Sequence, residues 1–330
     1  MTGATGLVGN NVVRLLGDDG FAVRVLVRPG GTPHDRRLAG LRVESVAAAL
    51  DDDAGLARAV EGADVVVHAA ALVHVGRRHL GEMREVNVDG TRRVARAARR
   101  AGARLIHVSS VDTIGVRSDG MPADEDTPPG GLPECPAVLT KREAEAEVLR
   151  EVTRGLDAVI VNPVFVLGPW DWKPSSGRML LEVAAGRGLL APPGGNDFVD
   201  ARDVAAGIRA AITRGRIGQR YILGGHALSY LEAWRLFARV AGRRPPLGTA
   251  PAALVHAAGW CGDVAGFLRR REAPLNSAAA AMTLVRHHVS CRRASEELGY
   301  EFRPLETTVR DAWRWFVSRG YAEPTRRRAA

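Results

Sequence analysis

Along the first 160 residues, short β-branched and aliphatic runs alternate with stretches whose apolar positions recur at helical spacing. The runs Ala22–Val27, Leu41–Val46, Asp64–His68, Arg104–Val108 and Ala158–Val161 predict strands, and Leu7–Leu16, Ala54–Val60, Glu82–Arg100 and Lys141–Val152 predict helices. This alternation predicts an α/β fold: a doubly wound parallel sheet with helices on both faces. From about Pro163 the rhythm breaks into a stretch rich in Gly, Pro and Trp that runs to Gly195. Helical patterns then follow near Asp203–Thr213, Tyr230–Ala241, Ala252–Leu268 and Leu305–Val317. The expected organisation is a sheet-based domain over residues 1–162 and a smaller, mostly helical region over 163–330. A segment at about 198–225 is expected to return to the first domain.

The most apolar later stretch, Pro251–Leu268, carries His256 and Asp263 and is too short and polar to span a bilayer. Its Ala, Leu and Val positions read as domain packing or as a greasy lid. Composition agrees with a globular chain: 46% hydrophobic, 25% charged and 5% aromatic residues exclude fibrous, disordered and disulfide-stapled classes. Net charge is +9, yet only two of the 46 basic residues are lysines, Lys141 and Lys173, leaving 44 arginines. They are interleaved with acids apart from short clusters such as Arg99-Arg100 and residues 326–328, so coding bias explains them and no nucleic-acid partner is expected. Cys135, Cys261 and Cys291 are too scattered for a disulfide framework or a metal site. A reducing cytoplasm and no membrane partner are the expectations.

Candidate chemistry begins at Thr2-Gly3-Ala4-Thr5-Gly6-Leu7-Val8-Gly9, which opens straight into a helical pattern. Glycines at this spacing let the backbone turn tightly and approach a pyrophosphate, whose charge the helix N-terminus favours. Gly3, Thr5, Gly6, Leu7, Val8 and Gly9 are the predicted contacts in a Rossmann-type sheet. Such a fingerprint follows a strand, and here only Met1 precedes it. A sheet without its central first strand leaves backbone groups of its neighbours unpaired. The sequence therefore predicts a natural start upstream of Met1, with a valine GTG codon read as the initiator. After the second strand run, Val25-Leu26-Val27-Arg28-Pro29 offers Arg28 and no acid, which favours the 2′-phosphate of NADP over the free hydroxyl of NAD.

With these residues the chain resembles the extended short-chain dehydrogenase/reductase family (the NAD-dependent epimerase/dehydratase superfamily), in particular its dihydroflavonol-reductase-like and 3β-hydroxysteroid-dehydrogenase-like branches. Gly62-Ala63-Asp64-Val65-Val66-Val67-His68-Ala69-Ala70 resembles the segment that backs the cofactor, with Ala69 and Ala70 beside it. Asn87-Val88-Asp89-Gly90-Thr91 resembles the helix whose asparagine buttresses the site. In Ser109-Ser110-Val111-Asp112-Thr113-Ile114-Gly115 the second serine occupies the catalytic place. Asn162-Pro163-Val164-Phe165-Val166-Leu167-Gly168-Pro169 and Phe198-Val199-Asp200-Ala201-Arg202-Asp203-Val204-Ala205 resemble substrate-side signatures.

The resemblance implies that Asn162, Pro163, Val164, Leu50 and Lys141 also contact the cofactor. It implies a substrate pocket near Asp112, with Trp170, Trp172, Lys173 and Arg178 as pocket wall or structural plug. A homodimer through helices 82–100 and 141–152 is a further implication.

In this family a tyrosine passes the proton, a lysine four residues later lowers its pKa and holds the ribose, and a serine bonds the substrate oxygen. Lys141 is the lysine, and Ala137 stands at the tyrosine position. All four tyrosines, Tyr221, Tyr230, Tyr300 and Tyr321, lie beyond the nucleotide domain, leaving Asp112, His74 and Cys135 as remote substitutes. An engineered Tyr→Ala change and a natural loss give the same letter. Ala49 stands where relatives place an adenine-contacting aspartate, with Asp51 and Asp52 nearby. The expected activity is NADP-dependent hydride transfer to a ketone or from a secondary alcohol, impaired at Ala137. The alternatives are a nucleotide-sugar epimerase or dehydratase and a catalytically silent NADP-binding protein.

Overall fold

The computed structural model describes residues 1–30 and 36–323, so the 326–328 cluster lies outside the described residues. Five strands and five α-helices are described within residues 1–163. The strands are β1 (Val23–Val27), β2 (Val43–Ala47), β3 (Val65–His68), β4 (Arg104–Val108) and β5 (Ala158–Pro163). The helices are α1 (Leu7–Asp18), α2 (Asp53–Val60), α3 (Leu80–Met83), α4 (Gly90–Ala101) and α5 (Pro136–Val152). The periodic stretch 82–100 is interrupted by a π-helical turn, Arg84–Asp89. The helix expected from Lys141 begins at Pro136, whose fixed φ suits a first helical turn, and therefore includes Ala137.

β3, β4 and β5 run parallel in that order, followed by the strand Arg220–Leu223. Successive side chains divide between two cores, as strand geometry requires. Val67, Ile106, Val159 and Val161 meet α1 and the helix Ala201–Arg214, while Val66, Leu105, Ala158 and Ile160 meet α2, α4 and α5. Both faces are covered, which is why these runs read as continuous apolar stretches.

β1 and β2 form a separate parallel pair. Met1 and Thr2 bridge it to the main sheet: Leu26 N–H donates to Met1 O, and Thr2 N–H donates to Val67 O. Below this two-residue link lies a cavity of about 700 Å3 lined by residues including Met1, Leu16, Val23, Leu26, Leu56 and Val65.

The C-terminal region is mostly helical, and it also carries a small sheet that the sequence pattern did not predict. Gly195–Asp200 pairs antiparallel with His226–Ser229 and parallel with both Phe165–Leu167 and Arg286–His287. These strands are two to six residues long and set among Gly and Pro, too short to carry a readable period. Their apolar face joins a third core around Phe198, Tyr230, Phe237, Trp313 and Phe316. Phe198 is fully buried, with Phe165 5.1 Å away ring to ring and Phe237 edge-on. Phe198→Ala is expected to cost about 3–5 kcal/mol, read as a lower urea midpoint at unchanged slope.

Candidate active site

The glycine turn comes first. Gly3 has φ +71°, and a Cβ there would stand 2.5 Å from the carbonyl carbon of Ala69, so only glycine fits against Ala69-Ala70. A Cβ at Gly9 would lie 2.1 Å from Gly3 O, which packs α1 closely against the turn. Gly6 is the N-cap of α1 and brings no capping side chain, while Thr5, Leu7 and Val8 are partly exposed. The first N–H groups of α1 are thus directed at an accessible surface, as an anion site requires. This cradle fits a dinucleotide.

Around the turn, Leu50 packs against Gly90 of α4, and Asp52 caps α2 by accepting from Gly55 N–H at 2.8 Å. Asp52 therefore has a structural task and does not stand in for the aspartate replaced by Ala49. Arg28, just past β1, is exposed and forms no ion pair among the described residues.

The second group assembles where β4 ends. Ser110 is extended there; its Oγ accepts from Asp112 N–H at 3.2 Å and donates to Asp112 Oδ2 at 3.1 Å. Lys141 reaches the same strand end from α5, its Nζ donating to Val108 O at 3.1 Å. Burial lowers the Lys141 pKa to about 8, against the opposing pull of the Glu145 and Asp112 carboxylates.

Ala137, one turn before Lys141, packs in a small apolar cluster with Cys135, Val138, Ala278 and Met282. Asn87 sits on the π-turn, donates to Leu72 O and Thr140 Oγ1 and accepts from Leu72 N–H, tying the loop after β3 to α5. Asn162, beside Pro163 and Val164 at the end of β5, is fully buried. It donates to Ser110 O, Thr113 Oγ1 and Glu145 Oε1, so its role is to clamp the Ser110 turn.

Three features escaped sequence reasoning. His68 links Thr2 Oγ1 (2.7 Å) to Thr91 Oγ1 (3.0 Å) beneath the glycine turn, and burial followed by the Lys141 charge lowers its pKa to about 3. Arg220 pairs with Glu145 at 2.8 Å and so anchors the Asn162 clamp. His287, buried on the strand Arg286–His287, places Nδ1 4.0 Å from Asp112 Oδ1, beside Ser110. Its pKa is lowered by burial, and no local sequence signal connects positions 112 and 287.

Of the two expectations for the tryptophan segment, pocket wall or structural plug, the packing fits the plug. Trp170 and Trp172 pack against Trp315 at 6.2 and 5.1 Å, with the Arg14 guanidinium 3.3 Å from the Trp170 ring centre and Tyr321 donating to Trp172 O. They are a structural plug between α1 and the helix Leu305–Ser318, stabilised by ring and cation–π contacts. Lys173 and Arg178 are exposed beside them. Asp112 alone of the predicted substrate residues lies with Ser110.

The four tyrosines, His74 and Cys135 are engaged or enclosed elsewhere. Tyr221 donates to Glu297, Tyr300 to Gly224 O and Tyr321 to Trp172 O. Tyr230 is buried, and burial, reinforced by Asp112, pushes its pKa up to about 12. His74 pairs with Glu272 at 2.5 Å, and Cys135 is enclosed beside Val138.

A phosphate-binding turn joined to a Ser–Lys pair at the carboxyl ends of a parallel sheet defines a nicotinamide-dependent enzyme of the extended short-chain class. The chain belongs to the NAD dependent epimerase/dehydratase family, whose pattern matches residues 1–224. It is 33% identical to sterol demethylase protein B of Methylococcus capsulatus over 97% of this chain and 98% of that protein. It is 29% identical to the 4-hydroxy-2-methyl-3-oxo-4-farnesyl-3,4-dihydroquinoline-1-oxide ketoreductase of Stigmatella aurantiaca, over 95% of each. Among solved structures, PA4631, described as a nucleoside-diphosphate-sugar epimerase from Pseudomonas aeruginosa, superposes with TM-score 0.80 at 28% identity over 97% of each chain.

Proposed function

We propose that the chain is an NADP-dependent oxidoreductase acting between a ketone and a secondary alcohol, slowed at proton transfer by Ala137. The observation that carries this reading is the convergence of Ser110 and Lys141 at the end of β4, with Ala137 one turn before Lys141. When bound, the nicotinamide supplies or accepts the hydride. The glycine turn and the N-terminus of α1 hold the pyrophosphate, and the Lys141 ammonium holds the ribose hydroxyls. Ser110 turns its hydroxyl from Asp112 to the substrate oxygen and polarises the carbonyl. The proton that a phenol would have passed comes from water, which makes that step slow. The Stigmatella relative, named as a ketoreductase, supports this chemistry, and the name of the Pseudomonas neighbour keeps sugar nucleotides in the test panel. Ala137 also supports a second reading, a protein that binds NADP without turnover.

The preference for NADP rests on Arg28. Arg28→Ala is expected to weaken NADPH binding about 10–150-fold, from the loss of charge-assisted bonds to phosphate, and to leave NADH binding unchanged. Calorimetric titration with both cofactors reads this; equal losses for the two would remove Arg28 from the 2′-phosphate. Pairing through helices 82–100 and 141–152 is part of the same proposal, although Arg84–Glu143, Arg92–Glu147 and Arg99–Glu151 already occupy much of their charge within one chain.

A further inference from the structure

The helix Ala252–Leu268 is turned inside out relative to an ordinary surface helix. Its inward face is made of glycine: a Cβ at Gly259 would stand 2.7 Å from Ala280 Cβ, and one at Gly262 would stand 1.8 Å from Leu275 O. Asp263, its one acid, also faces inward and accepts from Ser277 N–H at 3.1 Å. The large apolar side chains point out instead. Trp260 is 70% exposed and Phe267 and Leu268 are each 75% exposed, with Leu254 and Val264 beside them in the helical order of one broad face. Five of the fifteen large hydrophobic side chains exposed among the described residues lie on this seventeen-residue helix, so the patch is concentrated rather than scattered.

Charge selects the occupant. Arg269, Arg270 and Arg271 follow the helix directly, are exposed and form no ion pair among the described residues. No outward acid on the helix offsets them. A second copy would bring two chains of net charge +9 together with no carboxylate on this face to meet the arginines. An anionic lipid surface meets both features, because phosphates receive the guanidinium groups while the apolar side chains enter the acyl boundary. A tryptophan on the entering face suits that boundary. At seventeen residues the helix is too short to cross about 30 Å of hydrocarbon, and no helix among the described residues is long and apolar enough to do so.

We infer that Ala252–Leu268, with Arg269–Arg271, docks the protein in the plane of an anionic bilayer surface. The inference stands apart from the proposed ketone chemistry. The helix Ser277–Leu284 connects the two regions, packing against the docking helix and carrying Ala278 and Met282 against Ala137.

The test is flotation of the full chain with phosphatidylcholine vesicles prepared with and without phosphatidylglycerol. The expected result is binding that requires phosphatidylglycerol and weakens with salt. W260E/F267E is expected to abolish it, and R269Q/R270Q/R271Q to weaken it about fivefold for each arginine removed. Both variants should keep the parent's circular dichroism and melting temperature, because all five positions are exposed. Three results would each overturn the inference: no binding to anionic vesicles, binding indifferent to phosphatidylglycerol, or variants that bind like the parent. So would a concentration-dependent dimer in sedimentation that W260E/F267E disrupts.

Discussion

Ala137→Tyr is expected to raise the rate of hydride transfer by about 10²–10⁴-fold, the usual contribution of a positioned general acid or base. Position 137 lies in the first turn of α5, and Lys141 is one turn later on the same face, so a phenol at 137 would share its side of the helix with the ammonium. The lysine charge would lower the pKa of that phenol toward neutrality. Because proton transfer belongs to the transition state, the gain should appear in kcat and leave KM nearly unchanged. Ala137 now packs with Met282 and Ala278, so Ala137→Phe is the control for bulk. A gain shared by Phe and Tyr would mean that packing, not proton transfer, had limited the parent. No gain with either would favour the non-catalytic binding protein.

Lys141→Met is expected to weaken cofactor binding at pH 7 by about 10–150-fold, the worth of about 1.5–3 kcal/mol in bonds from an ammonium to ribose hydroxyls. The parent should also lose affinity as pH rises through about 8, where the folded-state ammonium gives up its proton, and the variant should show no such decline. The same variant should be more stable at neutral pH. The folded pKa of Lys141 lies below its unfolded value near 10.5, so the unfolded chain binds more protons between the two. Stability of the parent therefore rises with pH across that window, and below about pH 8 the full cost of the buried charge is present. Removing the amine removes that cost. Calorimetric titration and thermal melts from pH 6 to pH 10 check both signs; a variant less stable than its parent at pH 7 would contradict the reading of Lys141 as a charge held at the expense of the fold.

How far the sequence reached depended on period and distance. β3 to β5 were legible because both faces are covered, and the helices beside them because each buries one stripe. The strands around Gly195–Asp200 were not, since two to six residues beside Gly and Pro leave no period to read. Ser110, Asn87 and Lys141 were legible through local motifs. The approach of His287 to Asp112 was not, because it is created by tertiary folding across a separation no pattern spans. Trp170 and Trp172 read equally as a pocket wall or a plug, and local sequence could not choose because their partners Arg14, Trp315 and Tyr321 come from both ends of the chain. In the helix Ala252–Leu268 the apolar residues read as packing or as a lid, and only the glycine face turned inward shows that they point out.

Ser110 and Lys141 frame a hydride-transfer site that lacks the phenol. The most direct test of this follows deuterium from 4-deuterated NADPH by mass spectrometry, in the parent and the Ala137→Tyr chain, with a ketone panel beside UDP- and dTDP-sugars. The account predicts deuterium on the carbinol carbon of a product alcohol, arriving about 10²–10⁴-fold faster in the tyrosine variant. Conversion of a sugar nucleotide with no net cofactor oxidation, or tight NADPH binding with no deuterium transfer by either chain, would contradict it.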